Sequence, residues 1–189
     1  MSRLTFITLL SLIVLAIASV VHWQDKLLLE EPVSRQPAED ETDFFMLNAT
    51  TTQFNAQGNV DHRLTAQQVT HYPNGDFTVT TSPNITVIHQ NNTPWNITAK
   101  HGRISQNNNI IEFWDKVKLV RKTPANELKI DTSKLTFNAS EKVAHTKKAV
   151  VIVDNATHVD AIGMTAYLRE NRTKLLSNVR VTHDPANIN

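Results

Sequence analysis

The feature that most restricts how this chain can fold is a unit with strand-like halves. It occurs three times, and partly a fourth, between Leu64 and Val181. The clearest copy runs from Trp95-Asn-Ile-Thr-Ala-Lys, through an Asn-rich turn, to Ile110-Ile-Glu-Phe and Val117-Lys-Leu-Val. Ala99 and Val117 stand 18 residues apart, as do Thr132 and Val150, and Ala161 and Val179. Successive pairs are offset by 33 and 29 residues; Ala66 lies 33 before Ala99, and Ile85 fills the valine slot one residue late. A period of this length marks an architecture made by laying one supersecondary unit beside its copies.

The halves read as strands. Trp95, Ile97 and Ala99 alternate with Asn96 and Thr98; Leu128, Ile130 and Thr132 alternate with Lys129 and Asp131. Such a period of two places apolar side chains on one face and polar ones on the other. Phe44 to Phe54 reads as a first strand of mixed faces. Turn signals recur between the runs: Ala56–Asn59, Pro73–Gly75, Asn91–Pro94, Asn107–Asn109, Thr123–Asn126, Asn138–Ser140, Asp154-Asn155 and Glu170-Asn171. Asn74-Gly75 is the strongest, since both residues tolerate the positive φ of a tight hairpin. Gly102 and Gly163 follow the small residue of the repeat and read either as bulges or close backbone approach or as glycines tolerated at a strand end. The expectation is an antiparallel meander that must roll or stack to cover its apolar face.

Residues 4–23 read as a transmembrane anchor. Leu4 to Val21 is an uncharged run of 18 residues, about 27 Å as a helix against a hydrocarbon core of about 30 Å. Arg3 precedes it and Trp23 follows, which puts residues 1–3 in the cytoplasm and the rest outside. Ala16-Ile-Ala18 has the shape of a signal cleavage site, but the apolar run continues past it, so retention is the favoured reading. Residues 24–43 form an acidic, proline-bearing linker, and 44–189 a single β domain.

Nothing in the sequence points to catalysis. It holds no G-x-S-x-G, P-loop, G-x-G-x-x-G or H-E-x-x-H pattern, and the eight histidines show no ligand-like spacing. No cysteine is present, which excludes a disulfide framework and a thiolate zinc site. No metal or cofactor is expected. Seven Asn-x-Ser/Thr sequons follow from a composition rich in turn-forming Asn and strand-forming Thr. Residues 44–189 carry 16 basic and 11 acidic side chains, a mildly basic exterior.

The inward candidates are Phe54, Leu64, Ile85, Val87, Trp95, Ile97, Phe113, Leu119, Leu128, Ile130, Phe137, Val151, Val153, Val159, Met164, Leu168, Val179 and Val181. A sandwich left open at its ends admits acyl chains between its sheets. Lys100, Arg103, Lys116, Lys118, Arg121 and Lys122 are then candidates to meet phosphates near the mouth.

Anchor, linker, Phe54-Asn-Ala-Gln-Gly58, Arg63-Leu-Thr-Ala-Gln-Gln-Val-Thr-His-Tyr72, Gly163-Met164 and Val179-Arg-Val181 together resemble the LptC family of lipopolysaccharide export proteins. The later Val-x-Val repeats fit a pattern shared by LptC and the bridge protein LptA. Where the family often has Gly before the repeat's Val, this chain has Lys116, Ala149 and Asn178. The resemblance implies an open-ended, twisted β-jellyroll in the periplasm, held at the inner membrane by one helix and without catalysis. It implies lipopolysaccharide received from the transporter of LptB, LptF and LptG and passed to LptA. Of the inward candidates, Phe54, Leu64, Ile85, Val87, Trp95, Ile97, Phe113, Leu119, Ile130, Phe137 and Met164 would line the lipid slot. The edge at Phe44, Phe45 and Leu47 would meet the transporter, and that at Leu175, Val179, Arg180 and Val181 would meet LptA. Two rivals remain: a scaffold carrying no lipid, and a soluble LptA-like carrier if the leader is cleaved.

Overall fold

Alternating apolar and polar residues form eleven antiparallel strands in the computed structural model, which describes residues 42–88, 93–105, 109–155 and 157–184. They are β1 (Phe44–Phe54), β2 (Val60–Tyr72), β3 (Phe77–Thr81), β4 (Asn84–Val87), β5 (Trp95–Thr98), β6 (His101–Ile104), β7 (Ile110–Lys122), β8 (Glu127–Asn138), β9 (Val143–Asp154), β10 (Thr157–Tyr167) and β11 (Arg172–His183). The chain divides into Met1–Ala38 and Glu39–Asn189, and every described residue belongs to the second unit. The anchor expected at 4–23 and almost all of the linker at 24–43 lie outside the described residues. Among the described residues no helix is long and apolar enough to cross a membrane.

The strands form one ribbon. β1 pairs β2, β2 pairs β3 and β4, these pair β6 and β5, and both of those pair β7. From β7 the order runs without interruption through β8, β9 and β10 to β11. A crease crosses this ribbon. Pro83 interrupts one strand because it has no N–H to give the ladder, leaving β3 and β4 on either side. Backbone bonds carry the pairing across the gap: Ser82 N–H donates to the Lys100 carbonyl at 2.7 Å and Lys100 N–H to the Asp115 carbonyl at 2.9 Å. Further on, the register slips once in every ladder, between Trp114 and Val117, Thr132 and Thr136, Ile162 and Met164, and Asp160 and Ile162. Extra residues of this kind bend a strand and sharpen its twist. Ile110–Phe113 and Val117–Val120 are therefore halves of one strand bent at Asp115-Lys116.

The repeat anchors of the sequence sit along this crease. Val117 faces Thr132, Thr132 faces Val150, and Val150 faces Ala161, so the two anchors of the repeat alternate as lateral neighbours across the sheet. Lys116 and Asn178, standing where the family often has Gly, adopt φ of 57° and 51°. Gly163 has φ 77° there, and Gly102 supplies the close approach, a Cβ on it falling 2.6 Å from the Thr80 hydroxyl.

Bent along the crease, the two halves of the ribbon lay their apolar faces on each other. In one half a single row crosses the sheet: Leu64, Ile85, Ile97, Leu119, Ile130, Ile152, Val159 and Val181, each paired with the next. The other half contributes Val69, Thr80, Gly102, Phe113 and Leu135 as a paired row. Both rows belong to one core, apart from Val69, Thr80, Gly102 and the exposed end of the first row. Each large side chain covered this way contributes about 1.5–3 kcal/mol.

Three sequence expectations need correction. Val150 and Ile152 face inward, whereas Val151 is half-buried and Val153 exposed. The run Ala149–Val153 is apolar throughout, so its alternation is unreadable, and the bulge before it resets the face. The positive-φ pair in the β2–β3 turn is Gly75-Asp76, not Asn74-Gly75, because four residues, not two, connect Tyr72 to Phe77. Phe54 and Val179, taken as inward, are exposed. Val181 lies on the inward row but is exposed as well, because β11 ends the ribbon and nothing covers it.

Candidate functional site

Coverage along the inward row rises and falls with position. Ile85 and Ile97, near the middle of the ribbon, are 0% exposed, and Val181 at its end is 60% exposed. Phe113, Phe137 and Met164 are also fully buried, and Leu119, Ile130, Val87, Trp95 and Leu64 are buried with them. Ten of the eleven residues expected to line the slot thus lie in one packed core. Phe54 lies outside it, on the wall of a cavity of about 260 Å³ formed with Gln53, Asn55, Asp61, His62, Asn109, Ala139 and Ser140. The open slit expected from the sequence is, in this structure, a seam filled by its own side chains.

The seam is closed differently on its two long sides. On one side lies the crease, where the backbone itself passes from half to half. On the other, the ends of the two halves meet through side chains. Lys142, in the β8–β9 turn, reaches Asp61 at the start of β2, 81 positions away in sequence. The Lys142 side chain is 2% exposed and the Asp61 side chain 24%. His62 Nδ1 lies 2.8 Å from the same carboxylate oxygen. Burial alone pushes the Asp61 carboxyl up, but the hydrogen bonds and charges of Lys142 and His62 outweigh it and hold it below the usual value. Trp95 makes the second clasp, its indole N–H donating to Asn171 Oδ1 in the β10–β11 turn at 3.2 Å. The Arg121 guanidinium lies 5.1 Å from the Trp95 ring centre and completes that corner.

Backbone bonds support the first clasp. Leu168 N–H donates to the Lys142 carbonyl at 2.9 Å, and Arg169 Nη2 donates to the Ser140 carbonyl at 2.9 Å. A second cavity, of about 520 Å³, opens here between Asn55, Gln57, Val60, Asp61, Ile88, Lys142 and Arg169. Asp61 lines both cavities, and Lys142 lines the larger of the two.

Among the basic residues expected at the mouth, only Arg121 is placed at a clasp. Lys100 and Lys116 lie at the crease, Lys118 and Lys122 are exposed, and Arg103 covers the Phe77 ring at 3.9 Å. Lys142 escaped the sequence reading. A Glu-Lys pair in a turn reads as solvated, and only the folding of residue 142 onto residue 61 buries it.

The two expected partner edges are the two ends of the ribbon. β1 presents Phe44, Phe45, Met46 and Leu47, all exposed, and among the described residues it pairs only with β2. The Phe44 ring stacks on His71 at 5.1 Å. β11 pairs only with β10 among the described residues and exposes Leu176, Val179, Arg180 and Val181, while Leu175 packs on the core.

The family model for lipopolysaccharide-assembly, LptC-related proteins matches residues 9–184. The chain belongs to that family. Membership gives the LptC-related chain a role in lipopolysaccharide transport. Its fold is that of the crystal structure of LptH, the LptA-homologous periplasmic component of the lipopolysaccharide transport device of Pseudomonas aeruginosa. The TM-score is 0.53 at 8% identity, over 66% of this chain and 95% of LptH. No curated protein sequence matches significantly.

Proposed function

We propose that this LptC-related chain is an inner-membrane-anchored carrier whose β domain takes lipopolysaccharide from a transporter of LptB, LptF and LptG and passes it to LptA. One observation carries the reading. The apolar interior spans the ribbon from β2 to β10, yet opposite the crease it is shut by side-chain clasps rather than by backbone. Parting the clasps exposes one continuous greasy strip for acyl chains, with the crease as hinge. Val181 extends that strip beyond the covered region, where a partner adding a strand to β11 would continue it. The β1 edge, with its four exposed apolar residues, suits the transporter side.

A photo-crosslinker at Ile97 tests this in the assembled complex. It should label lipopolysaccharide when the transporter is active, while the same group at Lys118, on the outward face of the neighbouring strand, should not. Label only from Lys118, or none from Ile97, counts against a carrier. For the edges, Arg180→Pro removes a ladder donor and should weaken capture of LptA while sparing capture of LptF and LptG.

A second reading has an observation of its own. The core is packed through its middle, as a scaffold needs and a permanently open conduit does not. A scaffold keeps both edge interactions and never yields label at Ile97.

A further inference from the structure

We infer that Lys142 is an anion-binding residue held in reserve, and that a phosphate-bearing lipid head group opens the mouth by replacing Asp61 as its partner. The inference deepens the carrier reading and rests on it. Four features of the clasp support an exchange over a fixed structural bridge.

First, the two partners belong to opposite halves of the ribbon, so their separation frees the seam at that point. Second, Lys142 is almost wholly buried in protein but lines the larger of the two cavities that Asp61 lines, as does Arg169. A phosphate there meets two basic side chains, and charge-assisted bonds to phosphate are strong. Third, Asp61 keeps a partner when Lys142 leaves, because His62 already holds the same oxygen. Its partial exposure and its place on the lining of both cavities also let water take the vacated position. Fourth, the Lys142 backbone is fixed apart from its side chain, with φ 58° and its carbonyl occupied by Leu168. The ammonium can therefore change partner without the turn refolding.

Stability alone does not explain the pair. A buried ion pair is often matched or bettered by apolar residues of similar volume, while loss of one member is costly. Exchange gives a reason to keep both charges.

The test loads the full-length chain in its transporter complex with lipopolysaccharide or with the enzymatically dephosphorylated form, and reads photo-crosslinking from Ile97. The wild type should prefer the phosphorylated lipid. Lys142→Gln should reduce that preference roughly tenfold, the loss of one charge-assisted bond, and Lys142→Arg should restore most of it. Asp61→Asn, which frees Lys142, should load faster than wild type. The double variant Asp61→Leu with Lys142→Met, a chain whose clasp is apolar and stays folded, should show no preference. Inorganic pyrophosphate as competitor separates head-group recognition from free phosphate binding: head-group recognition leaves loading undiminished at equal concentration, and strong competition overturns a lipid-specific role. An unchanged preference in Lys142→Gln overturns the clasp alone, as a merely structural bridge predicts. Absence of label in the wild type overturns the carrier reading and the clasp with it.

Discussion

The two long sides of the seam do the same mechanical job with different materials. At the crease, the halves are joined by the chain itself, bent at Asp115-Lys116, Gly163 and Asn178 and crossed by backbone bonds. At the mouth they are joined by Lys142 to Asp61 and Trp95 to Asn171. The crease cannot part without unfolding strands. Parting the mouth breaks, among the described residues, these two side-chain contacts and uncovers the core behind them. In the proposed carrier the crease is the hinge and the mouth the opening, and hinge closure of this type is a common route to a ligand-dependent opening.

The largest effect should come from the core that both sides enclose. Phe113→Ala empties a fully buried position and should cost about 3–5 kcal/mol in chemical denaturation. A smaller loss leaves the core looser than its burial indicates.

The crease should come next. Gly102→Ala drives a methyl into the Thr80 hydroxyl at 2.6 Å and the Pro83 ring at 3.2 Å, both buried, and should cost about 1–3 kcal/mol. Gly163→Ala meets Leu176, whose exposed tip can swing away but whose Cβ stays 3.3 Å from the new methyl, so the φ penalty of about 1–2 kcal/mol is joined by a close contact on the neighbouring strand. Equal costs would mean that the crease is softer than the crossing bonds imply. Lys116→Gly should gain about 1 kcal/mol, by relieving a positive φ on a side chain that is exposed.

The mouth should give the smallest changes in stability. Trp95→Phe removes the indole donor and leaves a smaller aromatic ring at a buried position, and should cost about 1–2 kcal/mol. The Asp61 clasp should appear as pH dependence. Its carboxyl is held below the usual value in the folded chain, so its contribution is present above the ordinary aspartate pKa and fades as pH falls through the folded value. Denaturation of wild type and Asp61→Asn from neutral to acid pH should show a gap that narrows towards acid. A constant gap would place the stabilisation elsewhere.

Much of this was legible in the residues. The spacing of Val117, Thr132 and Val150 encodes the crease, because successive anchors of the repeat become neighbours across a ladder. Parity was legible where polar residues interrupt the run, as at Trp95–Thr98, and illegible at Ala149–Val153, where none do. Exposure of Val179 and Val181 was also out of reach, since a strand's pattern shows which way a side chain faces and not whether anything lies over it. The mouth was the least legible part. Lys142 and Asp61 carry no local mark, and their meeting depends on how far the ribbon curls before its ends touch.

The proposed hinge can be measured directly, because the chain has no native cysteine. Spin labels introduced as Gln57→Cys with Glu141→Cys span the mouth, and as Lys100→Cys with Lys148→Cys they follow the crease. On loading with lipopolysaccharide in the transporter complex, the mouth distance should lengthen while the crease distance stays fixed. A mouth distance that does not change while Ile97 still captures the lipid would contradict opening at the clasps.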